Sequence, residues 1–406
     1  MQRRHFLQIA GASAMASLAS RIAFSAPATG AKAKSVILLW MAGGPSHIDT
    51  WDPKSGPTGG SFSAIKTKNK DLTICGHLPQ VAEIGDKLAV MRGLSAKEGN
   101  HQRAQYLMHT GYAPNPTVVH PAMGAWLSAK LGPTPSALPA FVSLGGPSAG
   151  PGFLGVQHGP FVIPRAGGMP DNVAPTTDQT RFENRLRLLD GMDEEFAKRS
   201  GSALVDQRRA LYKETVQLMG AAALESFDTD NEPDAVKKAY GESQFGKGCL
   251  VARRLVESGV RFVEVWLDGW DTHQNNFERV RTLLSQVDPA MSTLVKDLDT
   301  RKLLSSTLVV WMGDFGRTPK INGNDGRDHF PQAQSCVLAG AGIKPGVYGA
   351  TSSAGDKVVG TPYSVPDVMA TIATLAGISP NAETMTPVGR PIAVTDNGTP
   401  IADVMI

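Results

Sequence analysis

"TLVVWMGDFGRTPKINGNDGRDHF" occupies Thr307–Phe330. Its opening "TLVVWM" is apolar, β-branched and too short for a helix, the pattern of a strand buried on both faces. The run breaks at Gly313 and then gathers Asp314, Arg317, Asp328 and His329 on a loop rich in glycine and asparagine. Two other stretches repeat this design. "SVILLWM" (Ser35–Met41) is followed by "AGGPSHIDTWD", with Ser46, His47, Asp49 and Asp52. "VRFVEVWL" (Val260–Leu267) is followed by "DGWDTHQNN", with Asp268, Asp271 and His273. "AFVSLG" and "SCVLAG" are shorter strand candidates.

Helical patterns lie between the strands. "RFENRLRLLDGMDEEFAKR" and "DQRRALYKETVQLMGAAALESF" are two of them. From Phe277 to Leu298, residues 277, 280, 284, 287, 291, 294 and 298 form one apolar stripe, which Pro289 is expected to kink or split. "SVPDVMATIATLAGI" reads as a helix capped by Ser364 and stopped at Gly377. Strands alternating with helices predict an α/β fold, a doubly wound, mostly parallel sheet with helices on both faces. Residues 181–245 are helix-rich and charged, and are read as an inserted helical cap.

Composition bounds the rest. The chain has 406 residues, 41% hydrophobic and 19% charged, enough for a large core. A net charge of +3 gives no argument for nucleic acid or an anionic membrane. The 43 glycines and 28 prolines imply long irregular loops. Cys75, Cys249 and Cys336 are widely spaced and odd in number, so they read as small buried hydrophobes rather than a disulfide framework or a zinc site.

The N-terminus carries Arg3-Arg4 ahead of Phe6-Leu7 and a weakly apolar, Ala/Ser-rich stretch. That pattern is a twin-arginine export signal over residues 1–28, too weakly apolar for a stable membrane span. Cleavage after Ala28 satisfies the small-x-small rule, whereas cleavage after Ala26 puts Pro27 next in line. The expected partner during export is the twin-arginine translocase, and the mature protein, whose folded domain is expected over residues 33–406, is expected in the periplasm or outside the cell.

Ligands of open parallel sheets bind at the carboxyl edge, where the loops after the strands meet. Three Asp/His clusters behind three strands therefore predict one shared site. Mixed imidazole and carboxylate donors suit zinc, manganese or iron. Other readings stand beside this one. Asp next to Gly is a common turn former, and Ser46 suits a helix cap. His77, His120 and His158 read as ordinary surface or core residues. Taken together, the clusters are either a metal or anion site or a hydrogen-bonded structural network.

"GGPSHIDTWDPK", "GWDTHQNN", "GDFGRTPKINGNDGRDHF" and "AGAGIKPGVYGAT" resemble the DUF1501 family of exported bacterial proteins, related in fold to the alkaline phosphatase and sulfatase superfamily. The resemblance spans residues 33–406 and implies an alkaline phosphatase-like core. It also implies a divalent metal, zinc or manganese, with His47, Asp49, Asp271, His273, Asp314, Asp328 and His329 as candidate ligands. The departures are specific. Asp314 is followed by Phe315 where sulfatases have His or Asn, and Gly43-Gly44 replaces the usual first-strand Asp. "HQRAQYLMHTGYAP" resembles the helix behind the sulfatase nucleophile, with Arg103 at the arginine position. The nucleophile position then falls near Gly99-Asn100, which offers no Ser, Thr or Cys. The resemblance thus implies hydrolysis of phosphate or sulfate esters by direct attack of activated water. His101, as base or further ligand, Arg317, facing substrate oxygens, and Ser46 are its candidate catalytic residues. An anionic small-molecule or polysaccharide ester is the implied substrate. The alternative is a non-catalytic relative that binds an anionic ligand or partner in the same pocket.

Overall fold

The computed structural model describes residues 31–200 and 203–406; residues 1–28, read above as an export signal, lie outside them. Its centre is an eight-stranded sheet. The strands are β1 (Ser35–Met41), β2 (Leu88–Leu94), β3 (Phe141–Leu144), β4 (Phe161–Ile163), β5 (Phe262–Leu267), β6 (Thr307–Gly313), β7 (Gln334–Gly340) and β8 (Gly346–Tyr348). Their spatial order is β8-β2-β7-β6-β1-β5-β3-β4. All run parallel except β7, which is antiparallel to both neighbours. The three long apolar runs of the sequence are the adjacent central strands β6, β1 and β5.

Both faces of the sheet are covered, as the apolar runs require. Ile37, Leu39, Val263, Val265 and Trp311 point to a core shared with α5 (Gln244–Glu257) and α6 (Asn276–Thr300). Val36, Leu38, Trp40, Phe262 and Val310 point to the opposite core, shared with α1 (His101–Thr110), α2 (Met123–Leu131) and α7 (Val365–Leu375). Residues 181–200 and 203–219 fall in the helices α3 (Gln179–Ser200) and α4 (Ala203–Met219), and α4 packs on the turn Val156–His158. Cys75, Cys249 and Cys336 are free and buried.

Pro289 neither splits nor ends α6, which continues to Thr300. An internal proline costs roughly 3 kcal/mol. The stripe Val280, Leu284, Val287, Met291, Leu294 and Leu298 is fully or almost fully buried. At about 1.5–3 kcal/mol for each such side chain, packing outweighs the proline several times over. Ser364 caps α7 as expected, in a reciprocal capping box with Asp367.

One strand has no clear signature in the sequence. β2 reads "LAVMRGL", and Arg92 and Gly93 interrupt its apolar run. Arg92 turns out of the strand to donate to the carbonyls of Trp51 and Thr73. That strand matters because it leads to His101.

Candidate metal centre

Register brings the loops together. Met41 of β1 lies opposite Leu267 of β5 and Gly313 of β6, so three loops leave the sheet side by side. Gly43, at φ +111°, permits their close approach: a Cβ there would lie 2.4 Å from the Asp271 nitrogen. A fourth loop, after β2, ends at Asn100, whose side chain caps α1 and places His101 in its first turn. The 318–328 loop is folded back by a short antiparallel ladder that pairs His329 with Arg317.

Three imidazoles converge on one carboxylate oxygen. Asp271 Oδ1 lies 3.4 Å from His101 Nε2, 3.2 Å from His273 Nε2 and 3.3 Å from His329 Nε2. The Nε2 atoms of His273 and His329 are 2.9 Å apart. In a tetrahedral site with bonds of about 2.0–2.1 Å, neighbouring donor atoms stand about 3.3–3.4 Å from one another. The carboxylate-to-imidazole spacings match that edge length.

The outer nitrogen of each ring is also engaged. His101 Nδ1 is 2.6 Å from Asp314 Oδ2, His273 Nδ1 is 2.8 Å from Asp328 Oδ1, and His329 Nδ1 is 2.8 Å from the Gly99 carbonyl oxygen. A carboxylate or carbonyl can only accept, so each Nδ1 donates, and in the neutral ring each Nε2 keeps its lone pair. This is the outer-shell pattern that orients histidine ligands of metals. His101 Nε2 is buried and makes no hydrogen bond. His101, Asp271 and His329 form a group whose donor atoms lie within 4.8 Å of one another.

Arg317 fixes Asp271. Its guanidinium is fully buried and donates to the carbonyls of Gly43, Gly44 and Arg327, and through Nη2 to Asp271 Oδ1 at 2.6 Å. Burial pushes the Asp271 carboxyl up, but the bond and charge of Arg317 prevail and hold its pKa down at about 2. The hydrogen bond to Asp314 raises the pKa of His101 against the effect of burial. Burial lowers that of His329, and the His273 hydrogen bond lowers that of Asp328.

The site therefore gathers His101, Asp271 and His329, with His273 beside them against Asp271 and His329, and Asp314 and Asp328 behind the rings. Four expectations need correction. Asp49 lies in a separate, fully buried ion pair, its two oxygens 2.7 and 3.0 Å from Nε and Nη2 of Arg327. Asn276 donates to the same carboxylate, which is thus committed to Arg327 and Asn276 rather than to the imidazoles. His47 is buried with Nε2 2.9 Å from the Gly355 carbonyl oxygen and its ring stacked on Phe330, away from the cluster. Ser46 Oγ accepts from the Asp49 nitrogen at 3.2 Å, the turn-capping role. Arg317 is committed to backbone carbonyls and Asp271, and does not present its fork to a substrate. Arg103 pairs with Glu98 at the surface.

The sequence reading missed the Gly99 carbonyl and the bracing by Arg327. Arg327 donates from Nε, Nη1 and Nη2 to Asp49 and to the carbonyls of Thr58, Thr318 and Pro319, which anchors the long loop. Its only signal was its place in "GRDHF". Gly326 likewise touches the neighbouring loop, where a Cβ would lie 1.8 Å from the His273 carbonyl oxygen.

A family model described as a protein of unknown function, DUF1501, matches residues 33–405. No curated protein matches the chain. Among solved structures, Ps i-CgsB is 14% identical, over 86% of this chain and 72% of that one, with a TM-score of 0.43. The PsFucS1 sulfatase from Pseudoalteromonas sp. is 13% identical, over 86% and 68%, with a TM-score of 0.40. A protein in the alkaline phosphatase superfamily from Vibrio parahaemolyticus is 13% identical, over 87% and 68%, with a TM-score of 0.37. At these TM-scores the likenesses carry no argument about activity or substrate.

Proposed function

The chain belongs to the DUF1501 family, and from that premise we propose that it is an exported, metal-dependent hydrolase of phosphate or sulfate esters. The observation that supports this is the convergence of three oriented imidazoles on the Asp271 carboxylate. The donors suit zinc, or manganese, better than magnesium, which prefers oxygen alone. When bound, the ion supplies a Lewis acid and brings the pKa of a coordinated water to about 7.

The chain's own residues hold and orient. Nε2 of His101 and His329 and Oδ1 of Asp271 are the donors, with His273 Nε2 beside them, 2.9 Å from His329 Nε2. Asp314, Asp328 and the Gly99 carbonyl keep the rings in the Nδ1–H tautomer, and Arg317 holds the carboxylate ionised. His273 is the most open of the three rings, with 43% of its side chain exposed, against 32% for His101 and 26% for His329. Substrate therefore approaches from the His273 side. Ser46 is hydrogen-bonded away from the rings and the three thiols are buried, which favours attack by water over a covalent intermediate. The substrate is an anionic small-molecule or polysaccharide ester.

Metal analysis of protein exported by its native host tests this reading, together with turnover of p-nitrophenyl phosphate and p-nitrophenyl sulfate. The expected result is stoichiometric zinc or manganese, with ester cleavage that a chelator abolishes and the metal restores. Bound metal without turnover of any ester would favour the ligand-binding alternative, and metal-free protein would defeat the metal centre.

Export through the twin-arginine translocase is part of the same proposal. Among the described residues no helix is long and apolar enough to cross a membrane. Replacing Arg3 and Arg4 together with lysine is expected to leave the precursor in the cytoplasm, read by fractionation. An undiminished periplasmic yield would remove the export route.

A further inference from the structure

We propose that the buried His109–Glu264 pair is a positioning device that sets His101 against Asp271, an inference that rests on the metal-centre reading. His109 Nε2 lies 2.8 Å from Glu264 Oε1, and the two side chains are 2% and 0% exposed. His109 is in the last turn of α1, whose first residue is His101. Glu264 is in the middle of β5, whose end feeds the loop bearing Asp271 and His273. The pair thus joins the two elements that carry opposite sides of the site.

The chemistry of the pair is unusual for a core. On the same sheet face as Glu264 lie Phe262 and Trp266, an apolar surface on which an unpaired carboxylate is strongly disfavoured. Its second oxygen accepts from Ser148 Oγ. His109 Nδ1 lies 2.8 Å from the Gln105 carbonyl oxygen. With Glu264 ionised, both ring nitrogens face acceptors, so both donate and the ring is an imidazolium. Trp40 packs over it with ring centroids 4.2 Å apart. Burial favours the neutral ring, but the Glu264 charge and hydrogen bond outweigh it and raise the pKa of His109.

Apolar side chains would fill this space without any desolvation penalty, so the ion pair needs another reason. Apolar packing lets a helix slide or rotate by small amounts, whereas a hydrogen-bonded charge pair admits one register. α1 is only ten residues long. A shift of its last turn is therefore carried as a rigid displacement to His101, which lies about 12 Å from His109 along the axis.

Two variants test the proposal. His109→Leu/Glu264→Leu removes both charges together, and Glu264→Gln keeps the shape while weakening the bond. Each is measured for thermal stability, for zinc affinity by competition with a chromophoric chelator, and for the His101–Asp271 spacing in a metal-free crystal structure. The double variant should melt within a few degrees of the parent yet bind zinc about 10–100-fold more weakly, as when a ligand loses its outer-shell support. The His101 Nε2–Asp271 Oδ1 spacing should change by about 1 Å. Glu264→Gln should show the same effects at smaller size, and it decides alone if the double variant does not fold. Unchanged spacing and affinity in the variant that folds would overturn the proposal. If the parent binds no zinc, the metal centre fails instead, and the spacing alone judges the role of the pair.

Discussion

Asp271→Asn is expected to weaken zinc binding by at least about 100-fold, beyond the 10–100-fold typical of losing an outer-shell partner. The amide keeps the shape of the side chain but removes the anionic oxygen on which three Nε2 atoms converge at 3.2–3.4 Å. It also leaves the fully buried Arg317 guanidinium without its carboxylate partner. Asp328→Asn, which alters the support behind His273 and the contact with Asn322, should fall within the 10–100-fold range. Chelator competition separates the two. Equal effects would mean that Asp271 is not a ligand.

Zinc affinity should also depend on pH in a defined direction. Protons compete with the metal for Nε2, and the Asp314 hydrogen bond raises the pKa of His101 above the ordinary imidazole value. Affinity should therefore start to fall, as the solution is acidified, at a higher pH than for an unperturbed histidine. Asp271, at about 2, stays ionised throughout that range. Competition titrations across pH are expected to show the loss in the imidazole range, with no further component from Asp271.

Asp49→Ala should destabilise the fold by about 3–5 kcal/mol, because it strands the buried Arg327 charge. The pair is completely inaccessible, and Arg327 also anchors the carbonyls of Thr58, Thr318 and Pro319. Urea unfolding of metal-free protein measures the effect. A loss below about 1 kcal/mol, the range of an exposed ion pair, would show that the network is solvated. The same variant should weaken metal binding indirectly, since Arg327 holds the loop that delivers Asp328 and His329.

The long apolar runs at residues 35–41, 260–267 and 306–312 were enough to specify the central strands, because only a sheet covered on both faces buries side chains of both parities. Strand polarity then placed the Asp and His clusters at one edge, so Asp271, His273 and His329 were legible as neighbours. β2 was not legible, since Arg92 and Gly93 break its pattern, and what makes it a strand is pairing with β7 and β8.

Sequence could not rank carboxylates and imidazoles that share one residue type. Asp49 and Asp271 both follow a strand closely, yet Asp49 is consumed by Arg327 and Asn276 while Asp271 faces three rings. His47 and His273 divide in the same way, one turned to the Gly355 carbonyl and the other to Asp271. Local sequence sets where a side chain leaves the sheet. Which partner reaches it first is decided by segments up to 308 residues away, as in the His47–Gly355 contact, and only the folded chain brings them within hydrogen-bonding distance.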